Sequence, residues 1–258
     1  MNFFLVYLTD ILPHDSDLRN RLFILAESRS GSNWLTETLN NHEDLLVLRE
    51  IFHPGFRKSM VEKMDSNDLL KIGKDIDYFE QALLGKGAQI SGCKILFSQL
   101  IRVMDFYRFL EFYKNQYMIV LTRENIIHAE LSGEIARLKQ NWHLMEGEPI
   151  LSPVNLDVKV FFKRLEWRRM RKAFVTEALN LFDIDYLEIG YSDLFEHRNE
   201  NLGKIFGFLG VDYQFENLKL SKEKKSNPYT LKEMVVNYEE LEDFLRPFPE
   251  YFKYLTGE

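Results

Sequence analysis

Short apolar runs alternate along the chain with longer segments in which apolar residues recur every three or four positions. The runs Leu22–Ala26 (LFILA) and Tyr117–Leu121 (YMIVL) have the continuous apolar character of strands buried on both faces of a parallel sheet. Further strands are predicted at Leu45–Leu48, Ile90–Phe97 and Tyr186–Ile189.

The segments between these runs have helical periodicity. A helix carrying Trp34 and Leu35 follows the first strand, and the other predicted helices run approximately over 57–84, 100–113, 125–142, 158–181, 202–209 and 231–245. Strands separated by helices predict right-handed crossovers and an α/β fold with an open, mostly parallel sheet flanked by helices. Ligands of such sheets bind beyond the carboxyl ends of the strands, so the loops after Ala26, Leu48, Phe97 and Leu121 are where a site is expected.

The composition is that of one globular domain covering residues 1–258, with 45% hydrophobic and 28% charged residues. A net charge of -7 argues against a generally basic nucleic-acid binder. Cys93 is the single cysteine, which excludes an intrachain disulfide and favours a reducing compartment. No run approaches the roughly 20 apolar residues of a membrane span, and the short run Phe3–Leu8 lacks a basic leader, so a cytoplasmic protein is expected.

The first loop has the composition of an anion-binding turn. The segment Ala26–Trp34 (AESRSGSNW) joins a buried strand to a helix, so successive backbone N–H groups and the positive end of the helix dipole face one point. Gly31 permits close approach of the backbone to an anion, while Ser30 and Ser32 add hydroxyl donors. The sequence therefore predicts a phosphate site here.

This loop differs from the nucleoside triphosphate P-loop, G-x-x-x-x-G-K-[ST]. Aligned on Gly31, the lysine position holds Ser32 and the Mg²⁺-binding hydroxyl position holds Asn33. The cation of the loop, Arg29, lies two residues before the glycine. Metal-assisted transfer from a triphosphate fits this loop poorly. Transfer of a sulfonate group from a phosphate ester, without a metal, fits it well.

The segment ILAESRSGSNWL resembles the 5′-phosphosulfate loop of sulfotransferases, particularly the bacterial carbohydrate enzymes (lipopolysaccharide, Nod-factor and trehalose types). The resemblance implies a P-loop-NTPase-like sulfotransferase fold, the donor PAPS, the product PAP and no metal. It implies that Arg29, Ser30, Gly31, Ser32, Asn33 and Trp34 contact the donor. Arg29 is also expected to act in catalysis, by neutralising the charge that arises on the bridging oxygen. The motif order matches over most of the chain, but only this loop and the next motif are specific.

The second motif follows strand YMIVL. In the sulfotransferase family an Arg at the strand end and a Ser on the next helix bind the donor's 3′-phosphate, and Arg123 and Ser132 resemble this pair. Arg123 offers a bidentate fork for phosphate, and Ser132, about two and a half helical turns along, can face the same crevice. Related enzymes also place a basic loop over the nucleotide near the C-terminus. The resemblance extends weakly to Lys225, whose short charge run is also typical of a solvated surface.

A hydroxyl acceptor must lose its proton as it attacks sulfur, so a general base is expected near the first loop. Glu50-Ile51-Phe52 resembles the trehalose-type stretch that carries a catalytic Glu, and His53 is the alternative base. The acceptor is expected to be a carbohydrate or small molecule with a hydroxyl group. Its selectivity would normally depend on Phe56–Gly87 and Met145–Leu156, although neither segment carries a readable code. Two other functions stay open: a nucleotide kinase-like phosphotransferase, and a non-catalytic nucleotide-binding scaffold.

Overall fold

The computed structural model describes residues 19–50, 52, 79–80, 83, 87–103, 106–139, 153–221 and 230–256. Within these residues, five parallel strands form one sheet in the order β2-β3-β1-β4-β5. The strands are β1 (Arg21–Ala26), β2 (Leu45–Leu48), β3 (Ile90–Leu96), β4 (Tyr117–Thr122) and β5 (Tyr186–Gly190). The predicted α/β class, with a parallel sheet flanked by helices, is confirmed.

Helices follow each of the strands β1, β3, β4 and β5. They are α1 (Ser32–Leu39), α2 (Phe97–Val103), α3 (Phe106–Tyr113), α4 (Ile126–Lys139), α5 (Val158–Leu181), α6 (Tyr191–Glu196), α7 (Arg198–Leu209), α8 (Leu231–Met234), α9 (Tyr238–Leu245) and α10 (Pro249–Thr256). None of the helices in the described part of the chain is both long and apolar enough to cross a membrane.

Strand β1 lies at the centre of the sheet and sets the level of the candidate site. Its last residue, Ala26, pairs with Leu96 of β3 on one side and with Leu121 of β4 on the other. On the next strand, Thr122 pairs with Gly190 of β5. The carboxyl ends of these four strands are therefore level, and the loops that follow them meet at one edge.

The core has a layer on each face of the sheet. Alternate residues of β1 point to opposite faces, as the pleat of a strand requires: Phe23 and Leu25 belong to one buried cluster, and Leu22, Ile24 and Ala26 to the other. A third buried cluster joins α4 and α5 to the C-terminal helices. Because β1 is buried on both faces, its continuous apolar run predicts the strand correctly.

Two predicted helices are divided in the structure. The segment predicted as 100–113 forms α2 and α3, and α2 begins at Phe97, directly after β3. The segment predicted as 231–245 is interrupted at Val235, which forms a β-bridge with Val154; Val154 N–H donates to Met234 at 2.9 Å. This pairing with a distant segment removes the backbone from helical geometry. In contrast, α5 has its predicted bounds, and α7 ends at the predicted Gly210 in the left-handed conformation.

Candidate anion-binding site

The loop after β1 turns sharply into α1 through two residues with left-handed backbone. Gly31 has φ 77° and Arg29 has φ 66°. A Cβ at Gly31 would lie 2.8 Å from Cε2 of Phe195 and 3.2 Å from Cδ2 of Tyr191, so glycine is required by both backbone and space. Arg29 adopts a conformation that is costly for a residue with a side chain, which marks the loop as locally strained.

The first turn of α1 presents backbone donors at this corner. The first intrahelical hydrogen bond runs from Leu35 N–H to the Gly31 carbonyl, so the N–H groups of Ser32, Asn33 and Trp34 precede it. The cap residue is glycine, which has no side chain to accept from them. The N–H groups of a first helical turn and the positive helix end favour an anion at this position.

The serine hydroxyl at Ser30 stabilises the loop itself. Its Oγ donates to the carbonyl oxygen of Glu27 at 2.6 Å, and the side chain is fully buried. Ser30 was predicted to contact the donor, and the structure places its hydroxyl inside the turn. Its contribution to an anion site would therefore come from the backbone.

Beneath the loop lies a buried ionic network that the sequence analysis missed. Arg168 of α5 donates to the Glu27 carboxylate at 2.6 Å, to the Ser28 carbonyl at 2.9 Å and to the Ser28 hydroxyl at 3.1 Å. The same guanidinium donates to Glu130 of α4 at 3.0 Å, and its side chain is only 3% exposed. Arg168 thus holds the loop to two helices at once.

Burial also affects the partner carboxylate. Removal from water raises the pKa of the Glu27 carboxyl above its ordinary value, although the charges of Arg168 and Arg171 oppose the rise. The signal available in the sequence was an acidic residue directly after a buried strand. Nothing local in the sequence identifies Arg168 as its partner, because the two residues are separated by 141 positions.

Both residues of the second motif contact the first loop. Arg29 Nε donates to Ser132 Oγ at 2.9 Å, and Arg123 Nη1 donates to the backbone carbonyl of Arg29 at 3.1 Å. The guanidinium of Arg123 lies 4.3 Å from the centre of the Tyr191 ring. Asn125 directly precedes α4, and its Oδ1 accepts from His128 N–H at 2.9 Å, so it caps the helix that carries Ser132.

The Arg123 side chain lies in a positively charged region. Burial lowers the pKa of the Arg123 guanidinium from its ordinary value, and the nearby charges of Arg29 and Arg168 lower it further, while Tyr191 and Glu124 oppose the fall. Among the described residues, no carboxylate lies within ion-pair distance of Arg123. A desolvated cation without a carboxylate partner favours a bound anion.

A second missed residue supplies a lysine beside the loop. Lys94 lies on β3, next to β1, and its side chain is only 2% exposed. Its Nζ donates to Oδ1 of Asn33 and lies 2.7 Å from Oε1 of Glu50. The loop lacks the lysine of a P-loop, and a lysine from the neighbouring strand reaches the same helix. A charged residue within the apolar run ISGCKILF was the available signal, since buried lysines are rare without a partner.

The candidate base Glu50 is held by two side chains. It pairs with Lys94, and Gln99 Nε2 donates to its Oε2 at 3.1 Å. Gln99 in turn accepts from the Leu96 N–H at the end of β3, at 3.0 Å. The carboxylate is partly exposed, so it is oriented and yet accessible.

The remaining predicted site residues are Trp34, His53 and Lys225. Trp34 is buried, and its ring packs 5.2 Å from Phe195. His53 and Lys225 lie outside the described residues. In the described ranges, no group of three or more His, Cys, Asp or Glu residues could hold a metal ion.

Comparisons with known proteins relate the fold to sulfotransferase structures. No family model and no curated protein matches the chain. A sulfotransferase from Alicyclobacillus acidocaldarius aligns with 93% of this chain and 97% of its own, with a TM-score of 0.54 and 15% identity. The sulfotransferase domain from the curacin biosynthetic pathway (TM-score 0.47, 16% identity, 93% and 97% covered) and mouse SULT7A1 complexed with PAP (0.44, 14%, 93% and 89%) are more distant in structure. At such identities, similarity to a solved structure shows the fold alone. The Alicyclobacillus structure, with its TM-score of 0.54, supports the assignment of the fold.

Proposed function

We propose that this protein binds PAPS at the carboxyl edge of its sheet and transfers the sulfonate group to a hydroxyl of a carbohydrate or small-molecule acceptor. The observation that carries the proposal is the contact of Arg29 with Ser132 and of Arg123 with the Arg29 backbone, beside the N-terminus of α1. These contacts join the two sequence motifs into one cationic corner. PAPS carries phosphate at both its 3′ and 5′ positions, and two adjacent anion sites match it.

The donor would occupy the corner with its two ends on different elements. The backbone N–H groups of Ser32 and Asn33, with the helix dipole, would hold the 5′-phosphosulfate. The fork of Arg123 and the hydroxyl of Ser132 would hold the 3′-phosphate. The 2.9 Å hydrogen bond from Arg29 to Ser132 supports this arrangement, because it joins the loop of the first motif to the helix of the second.

The transfer step then needs one base and one stabilising cation. The acceptor oxygen attacks sulfur, the bond from sulfur to the phosphate oxygen breaks, and its electron pair stays on the phosphate of PAP. The proton of the acceptor hydroxyl passes to the Glu50 carboxylate. Lys94, which contacts both Glu50 and Asn33, is placed to stabilise the negative charge that develops on the departing oxygen.

The two alternative functions, a nucleotide kinase and a nucleotide-binding scaffold, would need different residues at this corner. A nucleotide kinase would use Mg²⁺ held by a hydroxyl at the position of Asn33, whose oxygen instead accepts from Lys94. A scaffold that only binds nucleotide would not need Glu50 oriented by both Lys94 and Gln99. The chemistry of the corner therefore favours sulfonate transfer.

A radiolabelled-sulfonate assay tests the proposal. PAPS would be supplied with a panel of oligosaccharide and small hydroxyl acceptors, and both labelled product and released PAP would be measured. The proposal expects product and PAP in equal amounts without added metal. Binding of PAP with no transfer to any acceptor would favour the scaffold.

The bacterial carbohydrate branch predicts that sugar hydroxyls are the preferred acceptors, and the buried thiol of Cys93 fits a reducing compartment such as the cytoplasm.

A further inference from the structure

The outer face of α5 carries a row of exposed apolar side chains. Val160, Trp167, Met170, Phe174 and Leu181 are 40%, 60%, 54%, 38% and 76% exposed, respectively. Of these, Val160, Trp167, Phe174 and Leu181 follow one another at intervals of seven residues. Large apolar residues exposed singly are normal, but a continuous row along one helix marks an interaction surface.

The spacing keeps these side chains on one side of the helix. A seven-residue repeat drifts by only about 20° per repeat around an α-helix, so the row stays within a stripe roughly 100° wide. The opposite side of α5 faces the protein through Phe161, Leu165, Arg168 and Val175. From Val160 to Leu181 the stripe is roughly 30 Å long at 1.5 Å per residue. We call this stripe, with Lys163 and Glu177 that lie within it, the α5 seam.

We propose that the α5 seam binds the α5 seam of a second copy of this chain, with the two helices antiparallel and a twofold axis between Met170 and Arg171. In that orientation the large side chains of one seam lie opposite those of the other. Trp167 lies three residues before Met170 and Phe174 lies four after it, so each Trp167 meets Phe174 of the second copy. In the same way, Val160 meets Leu181 at the ends of the pair.

The charged residues of the seam favour the same arrangement. Lys163 and Glu177 each lie seven residues from Met170, and both are exposed. In the antiparallel pair, Lys163 of each copy faces Glu177 of the other; in a parallel pair, like charges would face each other. Within the described residues, no ion pair includes Lys163 or Glu177. This charge pattern identifies a second copy as the occupant rather than an unrelated helix.

The surface area that the seam can bury indicates how strongly the two copies associate. A stripe about 30 Å long on a helix about 10 Å in diameter buries a few hundred Å² per copy. Stable complexes typically bury about 800 Å² per partner, so the dimer is expected to be reversible and to form in the micromolar range. Tyr107, whose ring lies 6.1 Å from that of Phe174, extends the apolar surface beside the seam.

Sedimentation equilibrium of the full chain, at roughly 1 to 200 µM, tests the proposal. The average mass of the wild type should rise from that of one chain to that of two. Trp167→Asp should abolish the rise, while Val236→Asp, at another exposed apolar residue outside the seam, should leave it unchanged. Unfolding curves for both variants confirm that they remain folded.

Charge reversal distinguishes this pairing from other dimers. Lys163→Glu should weaken association at least about tenfold, and adding Glu177→Lys in the same chain should restore it.

A cysteine at position 170 gives a second test, because the native Cys93 is buried. Met170→Cys should cross-link to a dimer on oxidation, whereas Val236→Cys should not. The proposal is overturned if the wild type stays monomeric throughout, or if the double charge reversal does not restore association.

Discussion

Lys94 and Glu50 form an ion pair, with 2.7 Å between Nζ and Oε1, although one lies within β3 and the other two residues beyond β2. The pair places a nearly buried cation and a partly exposed carboxylate beside the first turn of α1. It is the point at which the proposed donor site meets the proposed base.

Replacement of Glu50 tests its role as the base. We expect Glu50→Gln to lower turnover about 10²-fold or more while the affinity for PAP changes little, because the amide can still contact Lys94 and Gln99 but cannot accept the proton. Transfer assays and PAP calorimetry on the same preparation measure both quantities. Glu43→Gln, the same change before β2, is the control. Wild-type turnover in Glu50→Gln would reassign the base, with His53 as the next candidate.

Loss of Arg168 should destabilise the whole fold. Arg168→Met removes the close partner of the Glu27 and Glu130 carboxylates and leaves Glu27 only the Arg171 guanidinium, at 3.8 Å. Breaking such a buried pair costs about 3–5 kcal/mol. Urea unfolding measures this loss. The neighbouring Arg169 makes an exposed ion pair with Glu166, so Arg169→Met should change stability little. Equal stability of the two variants would show that the network beneath the loop has no structural role.

Two glycine substitutions of the same kind should have opposite effects. Gly31→Ala places a methyl group against Phe195 in a left-handed backbone, so it should lower both stability and PAP affinity. Gly207→Ala, within α7 where an added Cβ meets nothing within 4 Å, should raise stability by about 0.5–1 kcal/mol. Thermal unfolding with and without PAP compares them. A stabilised Gly31→Ala would contradict the conformation described for the loop.

The thiol of Cys93 should be unreactive in the folded protein. Burial raises the pKa of the Cys93 thiol well above its ordinary value of 9.0, and the Glu80 charge raises it further. Because the folded pKa is the higher one, the stabilising contribution is complete below the unfolded pKa and is lost as pH rises through the folded pKa. The unfolding free energy should therefore fall as pH rises past the ordinary thiol pKa of 9.0 in the wild type, and less steeply in Cys93→Ala. Rapid labelling of the native thiol at pH 8 would refute this burial.

The sequence predicts well what depends on continuous local patterns. The apolar runs of β1 and β4 and the bounds of α5 follow from periodicity. The rule that ligands bind at strand ends led to the loops after β1 and β4, but the hydrogen bond from Arg29 to Ser132 is known only from the structure. The division of the C-terminal helix was not predictable, because Val235 pairs with Val154 across 81 positions.

Two site residues were not predicted for the same reason. Lys94 and Arg168 act on the loop from elements that are distant in sequence, and only the strand order brings β3 next to β1. A lysine in a buried strand and an arginine in a helix indicate that partners exist, but not which residues they are. Their roles required the three-dimensional positions of Asn33 and Glu27.

Calorimetric titration with PAP in EDTA tests most directly whether the corner is a metal-independent site for a bisphosphorylated nucleotide. The wild type should bind PAP, and ATP with Mg²⁺ should not bind comparably. Arg123→Gln should weaken PAP binding at least about tenfold, because a charge-assisted fork is lost. Arg19→Gln should not, since this guanidinium also lies over a tyrosine ring but at the opposite edge of the sheet. Absence of PAP binding, or binding that Arg123→Gln leaves unchanged, would contradict the account.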